Sequence, residues 1–328
     1  MPFQIVRNDI TRVKADAIVN TANPCPIVGS GTDSAIYRAA GHEKLLEARR
    51  KIGELAPGEV AATSAFALDA RYIIHASGPM WVDGTHSEKT LLSRCYSNAL
   101  MLSAELGCES IAFPLMGSGT YGFPKSEALD VALAEIGRFL LTHELTVILV
   151  VFDRESVALS KELVGEIDTF IDEHTVGQLH AWEYDNEVLE RMERDYRGLK
   201  AQEGAKNTSL DKMLAQQELG FRERLFRLID ARDIDDVTVY KRANLDRKVF
   251  SRIRCKADYK PSKKTALALA IALELDLATT RDLLARAGYA LSPSSRFDLI
   301  VSYFIERGSY DMLTINTALF SYGEETLT

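Results

Sequence analysis

Two glycine-bearing segments carry the residue types best suited to chemistry. The first, PLMGSGTYGFPKSEA from Pro114, ends an apolar run, sets glycines at 117, 119 and 122, and reaches a helix start at Pro124. Glycine lets main-chain N–H groups come close to a ligand, and a helix N-terminus favours an anion. The pattern suits a phosphate or diphosphate; a tight turn without a ligand is the plain alternative. The embedded G-x-G-x-x-G also suggests a nicotinamide dinucleotide. Against that, the motif follows the fifth strand rather than the first, and its helix begins after the motif. No acidic residue ends a strand about 20 positions on, as ribose binding in that fold requires. A Walker loop is excluded because Pro124, not glycine, precedes Lys125 and Ser126.

The second segment is IVNTANPCPIVGSGTDSAIYRAAG, residues 18–41. Asn20 and Asn23 offer both donors and acceptors, which suits sugar hydroxyls. Thr32 and Asp33 open a helix, where an acid is often only a cap or a partner of the helix dipole. His75, in the apolar run IIHASGP, reads as a buried structural histidine. Cys25 has no neighbouring base and is not nominated as a nucleophile.

The elements that position these loops follow from hydrophobic periodicity. Phe3–Val6, Ala17–Asn20, Glu59–Phe66, Tyr72–His75, Ser110–Pro114 and Val147–Phe152 read as strands. Ser34–Ala40, Glu43–Lys51, Glu88–Leu106 and Pro124–Thr142 read as helices between them. Alternating strands and helices imply a layered α/β unit with a largely parallel sheet, whose ligands sit at the carboxyl ends of strands. The texture changes after about residue 175. Residues 176–209 read as a charged, helical stretch and linker, and residues 210–328 as an all-α unit. The expected domains are therefore 1–175, 176–209 and 210–328.

Composition bounds the class. At 328 residues, 46% hydrophobic and 26% charged, the chain has the make-up of a soluble protein of about two domains. No apolar run approaches the roughly 18 residues of a membrane span, and the first residues lack a signal-peptide layout. The four cysteines are scattered with no C-x-x-C pair or His cluster, so neither zinc nor a disulfide framework is expected. A cytoplasmic location is the expectation.

Read in order, NDIT (8–11), VNTANP (19–24), GSGTDSAI (29–36), IIHASGP (73–79), FPLMGSGTYGFP (113–124) and VVFD (150–153) resemble the signature segments of macrodomains, which bind ADP-ribose. The resemblance covers roughly residues 1–175. It implies a three-layer α/β/α fold with a mixed, mostly parallel sheet. It also implies that Asp9 and the backbone of Ile10 meet the adenine, and that Phe152 stacks on it. Ser118, Gly119, Thr120 and Tyr121 would cradle the diphosphate, with Gly31 and Thr32 closing the other side. Asn23 would hold the distal ribose, and Asp33, ten positions on, would be the acidic residue of the hydrolytic MacroD-like branch. That branch has a longer glycine run; here Val28 and Ser30 interrupt it and Pro24 and Pro26 stiffen the approach. The resemblance implies an ADP-ribosyl hydrolase acting on mono-ADP-ribosylated protein or on O-acetyl-ADP-ribose, with no cofactor and no metal. A non-catalytic ADP-ribose reader is the alternative.

One segment lies outside that resemblance. Residues 241–264 hold ten lysines and arginines against Asp246 and Asp258, a basic island in a chain of net charge −8. Tyr240–Ala243, a turn at Asn244–Leu245 and Asp246–Ile253 resemble the helix-turn-helix of lambda-repressor-like domains. The resemblance places Arg247, Lys248, Ser251, Arg252 and Arg254 toward nucleic acid, which would give salt-sensitive binding. A protein-docking module is the competing expectation. A DNA-binding regulator that senses an ADP-ribose-type metabolite is the third function class.

Overall fold

A computed structural model describes residues 2–152, 159, 162–174, 220–256 and 259–328. The charged stretch and linker expected over 176–209 lie outside the described residues.

Six strands form one sheet: β1 (Phe3–Arg7), β2 (Ala17–Ala22), β3 (Val60–Ser64), β4 (Tyr72–Ser77), β5 (Ser110–Pro114) and β6 (Thr146–Val151). Their order is β1-β6-β5-β2-β4-β3, with β3 antiparallel to β4 and every other pair parallel. Strands buried on both faces read as unbroken apolar runs, and SIAFP and TVILVV fit that rule. Alternate residues serve opposite layers. Ile111 and Phe113 pack in one cluster with α3 (Glu88–Glu105) and α4 (Lys125–Thr142). Ala112 packs in the other with α1 (Thr32–Ala40), α2 (His42–Ile52) donating Leu45 to the same cluster. The result is the three-layer α/β/α architecture with a mixed, mostly parallel sheet.

This topology fixes where a ligand can sit. β2 and β5 are neighbours, yet the chain leaves β2 for α1 on one face and β5 for α4 on the other. Two connections diverging from adjacent parallel strands open a crevice at their carboxyl ends. Both glycine-bearing loops of the sequence belong to these two strands.

The remaining described residues are mostly helical. Residues 162–174 form α5, followed by α6 (Phe221–Asp230), α7 (Asp236–Arg242), α8 (Arg247–Cys255), α9 (Lys263–Ala272), α10 (Leu277–Arg286), α11 (Arg296–Glu306) and α12 (Met312–Ser321). They share one core, in which Ile167 of α5 packs with Leu225, Phe250, Leu269 and Phe304. The residues 162–174 therefore pack with the C-terminal helices, not with the sheet. The helix expected over Tyr240–Ala243 is the end of a longer one. It begins after Asp235, whose side chain caps it by accepting from Thr238 N at 3.0 Å. The β-branched run VTV hid that start from propensity reasoning. Among the described residues no helix is long and apolar enough to cross a membrane.

The helical region meets the β1 edge at Phe3. Asn244 in the α7–α8 turn is buried, with φ 52°, in the left-handed region that asparagine tolerates. Its Nδ2 donates to Phe3 O and its Oδ1 accepts from Phe3 N, each at 2.9 Å, as a neighbouring strand would. Nδ2 also donates to Thr328 Oγ1. Nearby, Gly137 of α4 faces Leu313 of α12, and a Cβ there would lie 2.9 Å from the leucine Cδ1. Replacing Asn244 with alanine leaves buried Phe3 groups unpaired, each costing about 1–3 kcal/mol. We expect Asn244→Ala to lower stability by roughly 2–4 kcal/mol in equilibrium denaturation; a change below the error of that measurement would contradict this account of the edge.

Candidate active site at the carboxyl ends of β2 and β5

A cleft of about 480 Å³ occupies the crevice between β2 and β5. It brings together Asn23, Gly31, Thr32 and Asp33 from one loop and Ser118, Gly119, Thr120 and Tyr121 from the other. Asp9, Ile10 and Phe152 do not line it. They sit farther along the sheet, at the ends of the paired strands β1 and β6, where Asn8 N donates to Val151 O at 3.1 Å. Phe152 is 82% exposed, whereas Ile10 is buried. Asp9 Oδ1 accepts from Thr11 N at 2.9 Å and Thr11 Oγ1 at 2.8 Å, which holds its carboxyl below the usual range. The expected adenine residues thus form a separate rim next to the cleft.

Among the described residues Asp33 is the one carboxylate lining the cleft, and it is only 3% exposed. Its Oδ1 accepts from Asn20 Nδ2 at 2.6 Å and its Oδ2 from Gly29 N at 2.5 Å. Burial pushes its pKa up; the bonds from Gly29 and Asn20 and the charge of Arg49 oppose that without cancelling it. A Cβ on Gly29 would lie 2.9 Å from Asn23 Nδ2 and 3.3 Å from Asp33 Oδ2, so any larger residue there would displace these two side chains. Gly31, at φ 63°, turns the chain into α1 and provides no side-chain cap, so the first N–H groups of the helix are left for a ligand.

Asn23 is oriented from both ends. Its Nδ2 donates to Ile27 O at 2.9 Å, and its Oδ1 accepts from Tyr121 OH at 3.2 Å. Burial raises the Tyr121 pKa, with Asp33 adding to the effect, so the phenol stays a donor at neutral pH. Across the mouth, Ser30 Oγ and Thr120 Oγ1 lie 3.3 Å apart, bringing the two loops into contact. Among the described residues no lysine or arginine lines the cleft. Main-chain N–H groups from Gly117 to Thr120 and at the start of α1 are the donors that could meet an anion.

The residue types alone did not mark the supporting set. Asn20 and His75 face each other in the register of β2 and β4, both fully buried. Asn20 Nδ2 also reaches His75 Nδ1 at 3.2 Å, and His75 Nε2 meets Thr63 Oγ1 at 3.0 Å. Burial, with a contribution from Arg49, lowers the histidine pKa to about 3, so the ring is neutral. Its Nδ1 therefore accepts from Asn20, and Nε2–H donates to Thr63. A readable signal existed: AIVNTA and YIIHAS each set one polar residue inside an apolar strand. Asn20, expected from its residue type as a sugar contact, holds Asp33 instead.

The basic island is partly spent on internal contacts. Lys241, Arg242, Arg254, Lys263 and Lys264 each pair with a carboxylate. Arg254, placed toward nucleic acid by the lambda-repressor-like resemblance, pairs with Asp236 and lies 4.9 Å over the Phe226 ring. Arg247, Lys248, Ser251 and Arg252 remain on the exposed side of α8, whose other side buries Phe250 and Ile253. Asp83, His86 and Glu88 stand close enough to share a cation, but Glu88 accepts from four main-chain N–H groups and Asp83 from Thr85 and His86. This cluster is a loop cap, and it lies outside the cleft lining.

Comparison with known proteins places this geometry. The Macro domain family profile matches residues 19–132. An O-acetyl-ADP-ribose deacetylase of Citrobacter rodentium is 42% identical over 170 residues, which is 50% of this chain and 96% of that protein. A macro domain-containing protein of Listeria monocytogenes serotype 4b is 43% identical over 172 residues, 50% of this chain and 98% of that protein. Among solved structures, the Oceanobacillus iheyensis macrodomain with MES bound is 38% identical over 47% of this chain and 85% of that one, with a TM-score of 0.45.

Removing Asn20 tests the support of Asp33. The bond from Asn20 lowers the Asp33 pKa, so its loss raises that pKa further. If Asp33 works as a base, activity falls as it protonates, and Asn20→Ala moves the acid limb of the rate profile to higher pH. A hydrogen bond to a charged group is worth about 1.5–3 kcal/mol, so kcat/KM should drop roughly 10- to 100-fold. An unshifted limb at full activity would dissociate Asn20 from the chemistry.

Proposed function

We propose, from the premise that this chain belongs to the macrodomain family, that its β2–β5 cleft binds ADP-ribose and hydrolyses an ester on the distal ribose. The substrates fitting this reading are O-acetyl-ADP-ribose and proteins carrying ADP-ribose on acidic side chains. The observation that carries it is the buried Asp33 carboxylate in one cleft with Asn23 and the Gly117–Tyr121 loop.

In this reading the diphosphate lies along the main chain of Ser118, Gly119 and Thr120, with Gly31 and Thr32 opposite. Tyr121 and Asn23, already bonded to each other, hold the distal ribose, a positioning role. The adenine extends to the rim formed by Asp9, Ile10 and the exposed ring of Phe152. A water between Asp33 and a substrate phosphate oxygen attacks C1″, Asp33 takes its proton, and the side-chain carboxylate or acetate leaves with the acyl oxygen. A raised pKa suits a carboxylate to that task, because a stronger base accepts a proton more readily. In the protein ester the C1″–O bond breaks, releasing ADP-ribose and the restored side-chain acid. Asp33 also stabilises positive charge developing on the ribose. The relatives named for deacetylation of O-acetyl-ADP-ribose support this assignment.

The test compares the wild type with Asp33→Ala. We expect the wild type to release ADP-ribose from an Asp/Glu-linked modified protein, or acetate from O-acetyl-ADP-ribose. Asp33→Ala should lose at least 100-fold in turnover (about 2.7 kcal/mol of barrier) while still binding ADP-ribose. Tight binding with no release by the wild type would make the protein a reader of ADP-ribose, and unchanged turnover in the variant would remove Asp33 from the mechanism.

A second reading concerns the C-terminal half. We propose that the exposed side of α8, with Arg247, Lys248 and Arg252, contacts nucleic-acid phosphates. Such contacts release counterions, so binding should weaken steeply with salt. Gel shifts with short duplex DNA at low and high salt are expected to show retardation at low salt that Lys248→Glu with Arg252→Glu removes. No retardation at low salt would retire this reading and leave protein docking as the role of that face.

A further inference from the structure

We infer that Arg49 is a positioning residue of the ADP-ribose cleft, fixing from behind the main chain that carries Asn23. The inference rests on the reading of the cleft given above. Arg49 lies in the last turn of α2 and is 1% exposed, among the largest fully buried side chains of the protein. A buried cation needs every donor satisfied or a counter-charge beside it. Among the described residues no carboxylate forms an ion pair with Arg49. Its donors go instead to main-chain oxygens. Nη2 donates to Asn23 O at 3.1 Å and to Pro24 O at 3.0 Å, and Nη1 donates to Gly53 O.

The loop's own sequence explains why it needs this clamp. Pro24 and Pro26 have no N–H, so the stretch after Asn23 has few donors with which to bond itself. Its one internal main-chain bond there is Ile27 N to Cys25 O, at 2.7 Å. Support comes from outside: the Arg49 fork, and Leu55 N, which donates to Pro24 O at 2.9 Å. The planar guanidinium suits two adjacent carbonyls in a way one ammonium does not. Pinning Asn23 O fixes the base from which the Asn23 side chain reaches Tyr121 and Ile27.

The same side chain brings charge to the site without entering it. Asp33 is faced by Asn20 from β2, neutral His75 linked through Asn20 from β4, Tyr37 from its own helix, Tyr121 from the β5–α4 loop, and Arg49 from α2. Arg49 is the cation of that set. Its field favours the ionised form of Asp33 against the desolvation that opposes it. Arg49 thus has two separable effects, one through hydrogen bonds and one through charge.

The experiment uses the full chain and two variants, Arg49→Lys and Arg49→Met, with ADP-ribose Kd, the pH profile of kcat/KM and thermal stability measured on each. A wild type that neither binds ADP-ribose nor turns over overturns the cleft reading and this inference with it. With an active wild type, we expect Arg49→Met to weaken ADP-ribose binding at least tenfold and to move the acid limb to higher pH. Arg49→Lys keeps the charge and loses the fork, so binding should weaken several-fold with the acid limb unmoved. A folded Arg49→Met with wild-type Kd and profile overturns the inference. So does a loss of activity that follows the folded fraction alone, with Kd and acid limb unchanged. If Arg49→Met fails to fold, Arg49→Lys decides: wild-type affinity in that variant overturns the role of the fork.

Discussion

Keeping one carboxylate charged inside a protein is the constraint around which the N-terminal half is organised. Asp33 sits where water scarcely reaches, and that raises the free energy of its ionised form. Three kinds of compensation surround it. Asn20 and the Gly29 N–H supply hydrogen bonds, the start of α1 supplies a dipole, and Arg49 supplies a charge. Each comes from a different element, so the carboxylate keeps its place only if β2, α1, α2 and the loop between them are all in register. Among the described residues the Asn20 Oδ1 is buried with no partner. An orphaned acceptor beside a buried carboxylate is the kind of cost proteins carry at functional sites.

The sheet makes this assembly possible because its interior strands are parallel and bury both faces. Parallel order aligns the carboxyl ends of β2, β4, β5, β6 and β1 at one end. The divergence of the β2 and β5 connections then opens a crevice in which two loops meet. The Ser30–Thr120 contact spans that crevice and the Asn23–Tyr121 bond crosses it lower down. Each loop therefore holds the other, although they are nearly a hundred residues apart in the chain.

Much of this was legible in the residues. All six strands and the four helices between them follow from apolar runs and end signals. The cleft set Asn23, Gly31, Thr32, Asp33 and Ser118–Tyr121 is one contiguous surface, as the ordered motifs implied. The supporting residues were harder to see. Arg49 lies in EARRKI, at the end of the helix expected over Glu43–Lys51, and only the fold turns that one side chain inward. Asn20 needed the strand register to put it opposite His75. In the C-terminal half, Asp235 starts α7 earlier than β-branched VTV suggests. Much of the basic island is drawn into ion pairs with acids distant in sequence, which a local charge sum does not reveal.

The way the two halves meet has a consequence for assembly. An outermost strand offers a row of unpaired N–H and C=O groups on which another chain can build. On β1 the Phe3 groups are taken by Asn244, and α12 stands beside them with Leu313 set against the bare Cα of Gly137. A single side chain performs the pairing of a strand but has no further edge to offer. Where Asn244 meets Phe3, this edge of the sheet is thus occupied by the chain's own C-terminal half.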